Sequence, residues 1–113
     1  MRLSIAQQFS DAPWGRYPTD GDFCGENFRE KLLWPALQSN EQVVVDLDGV
    51  EGFGSSFLDE AFGGIVAHGY LTGPQLKQKL KIQTTNPDFD LYVRAIQRYI
   101  DDASYGSKKL TPA

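Results

Sequence analysis

Two aspartates, Asp46 and Asp48, close the apolar run VVVDLDGV. On a strand their period-two spacing sets both carboxylates on one face roughly 7 Å apart, a geometry suited to a magnesium ion with phosphate oxygens. Downstream, Ser55 and Ser56 precede an apolar helical pattern. Ser56 with Asp59 reads as a capping box, its hydroxyl serving an orphan backbone N–H of the first turn. Ser55 is then left in the loop beside the positive helix end, where a phosphate is electrostatically tolerated and a docking partner would sense it. His68 is the single histidine. It falls at a helix end, where its charged form suits the dipole, and a structural role is expected. Cys24 is alone and cannot form an internal disulfide, which fits a reducing compartment and a partly buried, inert thiol.

These residues must be positioned by one domain, since 113 residues support a single core. Hydrophobic residues at 41% and charged residues at 23% are the proportions of a globular chain, not a disordered one. A net charge of −4 lacks the footprint expected for nucleic acid or an anionic membrane, and neither is expected as a partner. No apolar stretch approaches the roughly 20 residues that span a bilayer, and no secretory signal is visible, so a cytoplasmic location is expected.

Along the chain, Arg2 to Phe9 reads as a first strand and residues 10–25 as a long loop dense in Gly, Pro and Asp, with a short strand around Arg16 and Tyr17. Phe28, Leu32, Leu33, Ala36 and Leu37 recur at helical spacing and predict a helix over 26–39, with a kink or a restart near Trp34 because of Pro35. Gln42 to Leu47, with three consecutive valines, predicts a central strand covered on both faces. A glycine-rich loop leads to a helix from Ser56 to about His68, whose apolar face holds Phe57, Leu58, Ala61, Phe62, Ile65 and Val66. Asp59, Glu60, Gly63 and Gly64 fall on or near the other side. Gly63-Gly64 inside a helix costs on the order of 1 kcal/mol per glycine relative to alanine, and reads either as a close approach of backbone or a partner surface or as tolerated local weakness.

After a turn at 69–74, Lys77, Lys79 and Lys81 read as a solvated face on the approach to a strand over 80–84. Asn86-Pro87 caps a last helix reaching about Ser104, and residues 105–113 read as a flexible tail. The element order predicts a single α/β sandwich over residues 1–113, with a small mixed sheet of about four strands and three main helices packed on it.

VVVDLDGV resembles the opening motif of haloacid dehalogenase-like phosphatases, which would make Asp46 the nucleophile and Asp48 the acid/base in a magnesium-dependent phosphatase. A longer likeness competes with it. The run from Gly25-Glu26 and Phe28-Arg29-Glu30 through Asp46-Leu47-Asp48-Gly49-Val50 to Ser55-Ser56-Phe57-Leu58-Asp59-Glu60-Ala61-Phe62-Gly63-Gly64 resembles the bacterial STAS-like domain family of unknown function, related in fold to anti-sigma factor antagonists. Gly54 and Phe57 stand where those antagonists have aspartate and glycine. The resemblance implies a non-enzymatic regulatory module without a cofactor that binds a protein partner, such as a histidine-kinase-like ATPase, and is switched by phosphorylation of Ser55. The expected surface comprises Ser55, Ser56, Asp48, Asp59, Glu60, Gly63 and Gly64, with Asp59 and Glu60 outward and a phosphate thickening their negative patch against an acidic partner. A small-ligand pocket under residues 11–25 is a third possibility, supported by the length of that loop.

Overall fold

Three adjacent β-branched valines favour extended backbone, and they form the middle strand of the molecule, β2 (Val43–Asp46). The computed structural model describes residues 1–108. β1 (Arg2–Ser4) and β3 (Leu80–Gln83) flank β2 in one sheet of order β1-β2-β3, with both pairings parallel. The register sets Leu3 beside Val45 and Val45 beside Ile82, so apolar side chains align across the sheet. Among the described residues the sheet therefore has three parallel strands, in place of the expected mixed sheet of about four.

The missing strand is the one expected at Arg16 and Tyr17. Gly15 takes a left-handed φ of +82°, and Pro18–Asp20 forms a 3-10 turn whose Asp20 carboxylate accepts from the Arg16 and Tyr17 N–H groups. A proline without a donor and a left-handed glycine leave no ladder to extend. The first strand is also shorter than expected. Ser4 caps a helical turn, α1 (Ile5–Gln8), by accepting from Gln7 N at 3.2 Å, while the Gln8 side chain accepts from Ser4 N at 2.6 Å. This local capping overrides the strand alternation.

Five helices are present among the described residues, two more than the three expected. α2 spans residues 25–39 and includes a π turn at Arg29–Leu33, just before Pro35. The wider turn ends at Leu33 and regular helix resumes at Trp34 with Pro35 in its first turn, so the helix restarts near Trp34 as expected. α3 spans residues 55–67 and carries its own π turn at Asp59–Gly63. α4 (Gly73–Lys79), read from the sequence as turn and solvated approach, opens with a full capping box: Thr72 accepts from Gln75 N, and Gln75 returns the bond to Thr72 N. Its one buried residue, Leu76, gives no periodicity to detect. α5 (Asp90–Asp102) follows a 3-10 turn at Pro87–Phe89 that Asn86 caps as expected.

α3 is packed between α2 and α5 and is buried on nearly every side. Phe28, Phe57 and Phe62 interlock with Phe9 in its core, and burial contributes roughly 1.5–3 kcal/mol for each large apolar side chain. Of the expected flexible tail, residues 105–108 instead turn back on the end of α3, where Gly106 N donates to Val66 O and Lys108 N to Ala67 O. Residues 109–113 lie outside the described residues. No helix among the described residues is long and apolar enough to cross a membrane.

Candidate functional site

The start of α3 is where the buried interior meets an open surface. Gly54 is the N-cap and offers no side-chain bond, so the helix begins one residue earlier than expected, at Ser55. Ser56 consequently lies inside the first turn, and the anticipated Ser56–Asp59 capping box is not formed. Ser55 is exposed and Ser56 half-buried.

Facing them is the loop over residues 13–25. It is held by Trp14 N donating to Phe23 O, Gly25 N to Gly15 O and Glu26 N to Arg16 O. The Arg16 guanidinium ties it to α3 through Asp59 Oδ2 at 2.8 Å. Between loop and helix lies a cleft of about 380 Å³ lined by Trp14, Arg16, Tyr17, Asp20, Ser55 and Ser56, with Trp14 68% exposed. Trp14, Arg16 and Tyr17 escape sequence reasoning because they sit in an irregular loop. The only sequence signal for them is the length of that loop, from which a small-ligand pocket under residues 11–25 was expected.

Beneath this surface the two π turns meet. Glu60, expected to face outward, is 1% exposed. Its Oε2 accepts from Arg29 Nη1 at 2.8 Å and lies 3.8 Å from His68 Nε2, while Oε1 lies 3.5 Å from Lys108 Nζ and 3.7 Å from Arg16 Nη1. Arg29 is buried too, and also donates to the Glu60 carbonyl at 2.5 Å and to Glu30 at 2.8 Å. Burial pushes the Glu60 carboxyl up, but Arg29 and Lys108 outweigh it and hold it below its ordinary range. Burial, followed by the Arg29 charge, lowers the His68 pKa, so near neutrality the imidazole is largely uncharged.

The paired glycines are explained by the same cluster. A Cβ on Gly64 would collide with the Arg29 guanidinium, and one on Gly63 would stand 3.2 Å from the Tyr99 carbonyl and 2.8 Å from Asp59 Oδ1. The close approach, one of the two readings of their sequence, is made by this chain's own side chains and backbone. Glu60, Gly63 and Gly64 therefore lie beneath the surface they were expected to form, because α5 covers Gly63 and Arg29 of α2 covers Glu60 and Gly64.

Asp46 and Asp48 are engaged separately. Asp46 accepts from Arg2 Nη2 at 2.5 Å and from Asp48 N at 2.9 Å. Asp48 accepts from both the Thr84 and Thr85 hydroxyls at 2.6 Å and from Thr85 N, joining the end of β2 to the segment after β3. The Asp48 carboxyl is held below its ordinary value chiefly by the Thr84 hydroxyl, then by Thr85. A depressed folded pKa gives stability that is present above the unfolded value and lost as pH falls through the folded one. The stability difference between wild type and Asp48→Asn should therefore shrink steadily in urea titrations as pH falls from about 5 to about 2. A difference constant over that range would show that the threonine bonds are not linked to ionisation.

Cys24 is a free thiol immediately before α2 and is fully buried, more deeply than the partial burial expected.

A three-stranded parallel sheet, with a central helix opening on a serine pair, makes this a small α/β domain. The family model described as STAS-like domain of unknown function (DUF4325) matches residues 24–90, more than half of the chain, and the chain belongs to that family. The match begins just before α2 and includes β2, the Ser55 turn, α3 and β3. Comparison with curated proteins gave no match, and comparison with solved structures gave none either.

Proposed function

We propose that this chain is a non-enzymatic regulatory module that binds a protein partner at the loop and helix meeting at Ser55, and that phosphorylation of Ser55 weakens the complex. The observation that carries this reading is the placement of Ser55. It is exposed at the first position of a helix that is otherwise nearly all buried, beside a cleft edged by the exposed Trp14 and Tyr17. A partner can touch the first turn of α3 there, at Ser55, Ser56 and Asp59, while Glu60 to Ala67 are buried.

The contact surface is accordingly Ser55, Ser56 and Asp59 with Trp14, Arg16 and Tyr17, while Glu60, Gly63 and Gly64 support it from below. Exposed aromatic side chains next to an arginine are the residue types that carry binding energy at interfaces. A phosphate on Ser55 would add about 1.5 to 2 negative charges beside Asp59 and compete with it for Arg16. The likeness to anti-sigma factor antagonists supports a histidine-kinase-like ATPase as the partner.

Co-purification from the native cell with mass spectrometry would identify the partner and the phosphorylation state together. Against that partner, Ser55→Asp should weaken binding by about tenfold or more, near 1.4 kcal/mol, while Ser55→Ala binds like wild type. The thermal melt should stay unchanged, because Ser55 is exposed and makes no side-chain cap. Equal affinity of the Asp and Ala variants would overturn the switch.

A further inference from the structure

Ser55 also borders a second groove, of about 370 Å³, on the side of α3 that faces α5. Phe53, Leu58, Leu91 and Ala95 give it an apolar floor, and Arg94 and Arg98 line its α5 side. Leu91, Arg94, Ala95 and Arg98 follow one another at three- and four-residue spacing and form one stripe of the helix. Leu91 is 53% exposed. Neither arginine is neutralised by a close, buried partner. Arg94 meets Asp90 at 3.4 Å with both side chains largely in solvent, and Arg98 lies 5.4 Å over the Tyr99 ring with no carboxylate bridge among the described residues.

We infer that this groove receives an acidic amphipathic helix from a partner protein. The chain as a whole carries excess carboxylate, a net −4, so an apolar groove edged by two guanidinium groups, one of them bridged only to the solvent-exposed Asp90, departs from its overall charge. The floor calls for large apolar anchors, and the rim calls for carboxylates that accept from arginine. Both walls come from helices, so no strand edge offers a backbone ladder, and the occupant must be read through side chains, as a helix in a groove is. The inference rests on the reading of Ser55 as a switch in one respect. A phosphate there would face the same groove and repel the carboxylates that the arginines attract.

The test is a displayed library of random peptides, each about 16 residues or roughly four helical turns, selected on the full chain. The enriched pool should be net acidic, with apolar residues at helical spacing. Its affinity should fall about 30-fold or more on the R94E/R98E double variant, and fall also on Leu91→Ala, while Lys31→Glu on the distant α2 stays within about twofold. A neutral or basic pool, or a pool that binds R94E/R98E like wild type, would overturn the groove assignment. Binding that survives Ser55→Asp but not R94E/R98E keeps the groove and removes the Ser55 switch. Binding lost with Ser55→Asp but kept with R94E/R98E does the reverse, so the two readings fail separately. Circular dichroism melts of the variants confirm folding, since all the substituted side chains are exposed.

Discussion

Glu60→Ala should lower the free energy of unfolding by about 3 to 5 kcal/mol in a urea titration, a large share of the roughly 5–15 kcal/mol that holds a domain of this kind together. The carboxylate itself has already lost its water, and removing it leaves the Arg29 guanidinium buried against Gly64 and the Glu60 carbonyl without its main counter-charge. Glu30 remains as a partner for Arg29, but its side chain is 39% exposed, partly screened, and shared with the Tyr70 hydroxyl, so it compensates only in part. The size of the effect comes from the stranded cation and not from the worth of the pair. Replacing both partners, Arg29→Met with Glu60→Leu, should therefore cost distinctly less than the sum of the single replacements, because no unpaired charge stays inside. A Glu60→Ala loss under about 1 kcal/mol would mean that water reaches the cluster and that the charge is not confined.

The second large effect is expected where a substitution looks favourable by propensity. Alanine is better than glycine in a helix by up to about 1 kcal/mol, so Gly25→Ala at the start of α2 should stabilise if only local preference mattered. The tertiary structure opposes it. A Cβ at Gly25 would stand 2.8 Å from the Phe57 carbonyl oxygen, 2.8 Å from Glu60 Cβ and 3.0 Å from Ala61 N, all on α3. Two of these are backbone atoms of a packed helix and cannot swing aside. Overpacking of that kind costs about 1–3 kcal/mol, so a net loss near 2 kcal/mol is expected, read as a lower urea midpoint with an unchanged slope. Gly73→Ala supplies the contrast. Its Cβ would meet nothing nearer than 3.7 Å, and its effect should stay within about 0.5 kcal/mol. Equal effects at both glycines would show that the α2–α3 crossing is looser than these distances.

Much of the framework is legible because it is encoded locally. The valine run announces β2, the apolar spacing of Phe57 to Val66 announces α3, and Asn86-Pro87 announces the entry to the last helix. The elements that were missed or misjudged are those in which one local signal hid another. Ser4 and Gln8 cap a helical turn inside an apparent strand, and the Thr72-Gly73-Pro74-Gln75 box starts a helix that buries only Leu76.

The site divides along the same physical line. Sequence alone determined that a serine pair stands at the head of a central amphipathic helix after a buried strand, because period and turn chemistry depend only on neighbours within a few residues. Only the tertiary structure decided which of the nearby polar residues reach solvent. α5, far along the chain, covers Gly63, and Arg29, on another helix, draws Glu60 inside. Low dielectric makes such a pairing all-or-none, and the steric demand of the guanidinium then dictates glycine at position 64. Spacing along one helix carries no record of a partner that arrives from another, so Glu60, judged outward by periodicity, became buried support with Gly63 and Gly64, while Ser55 and Asp59 kept their place at the surface.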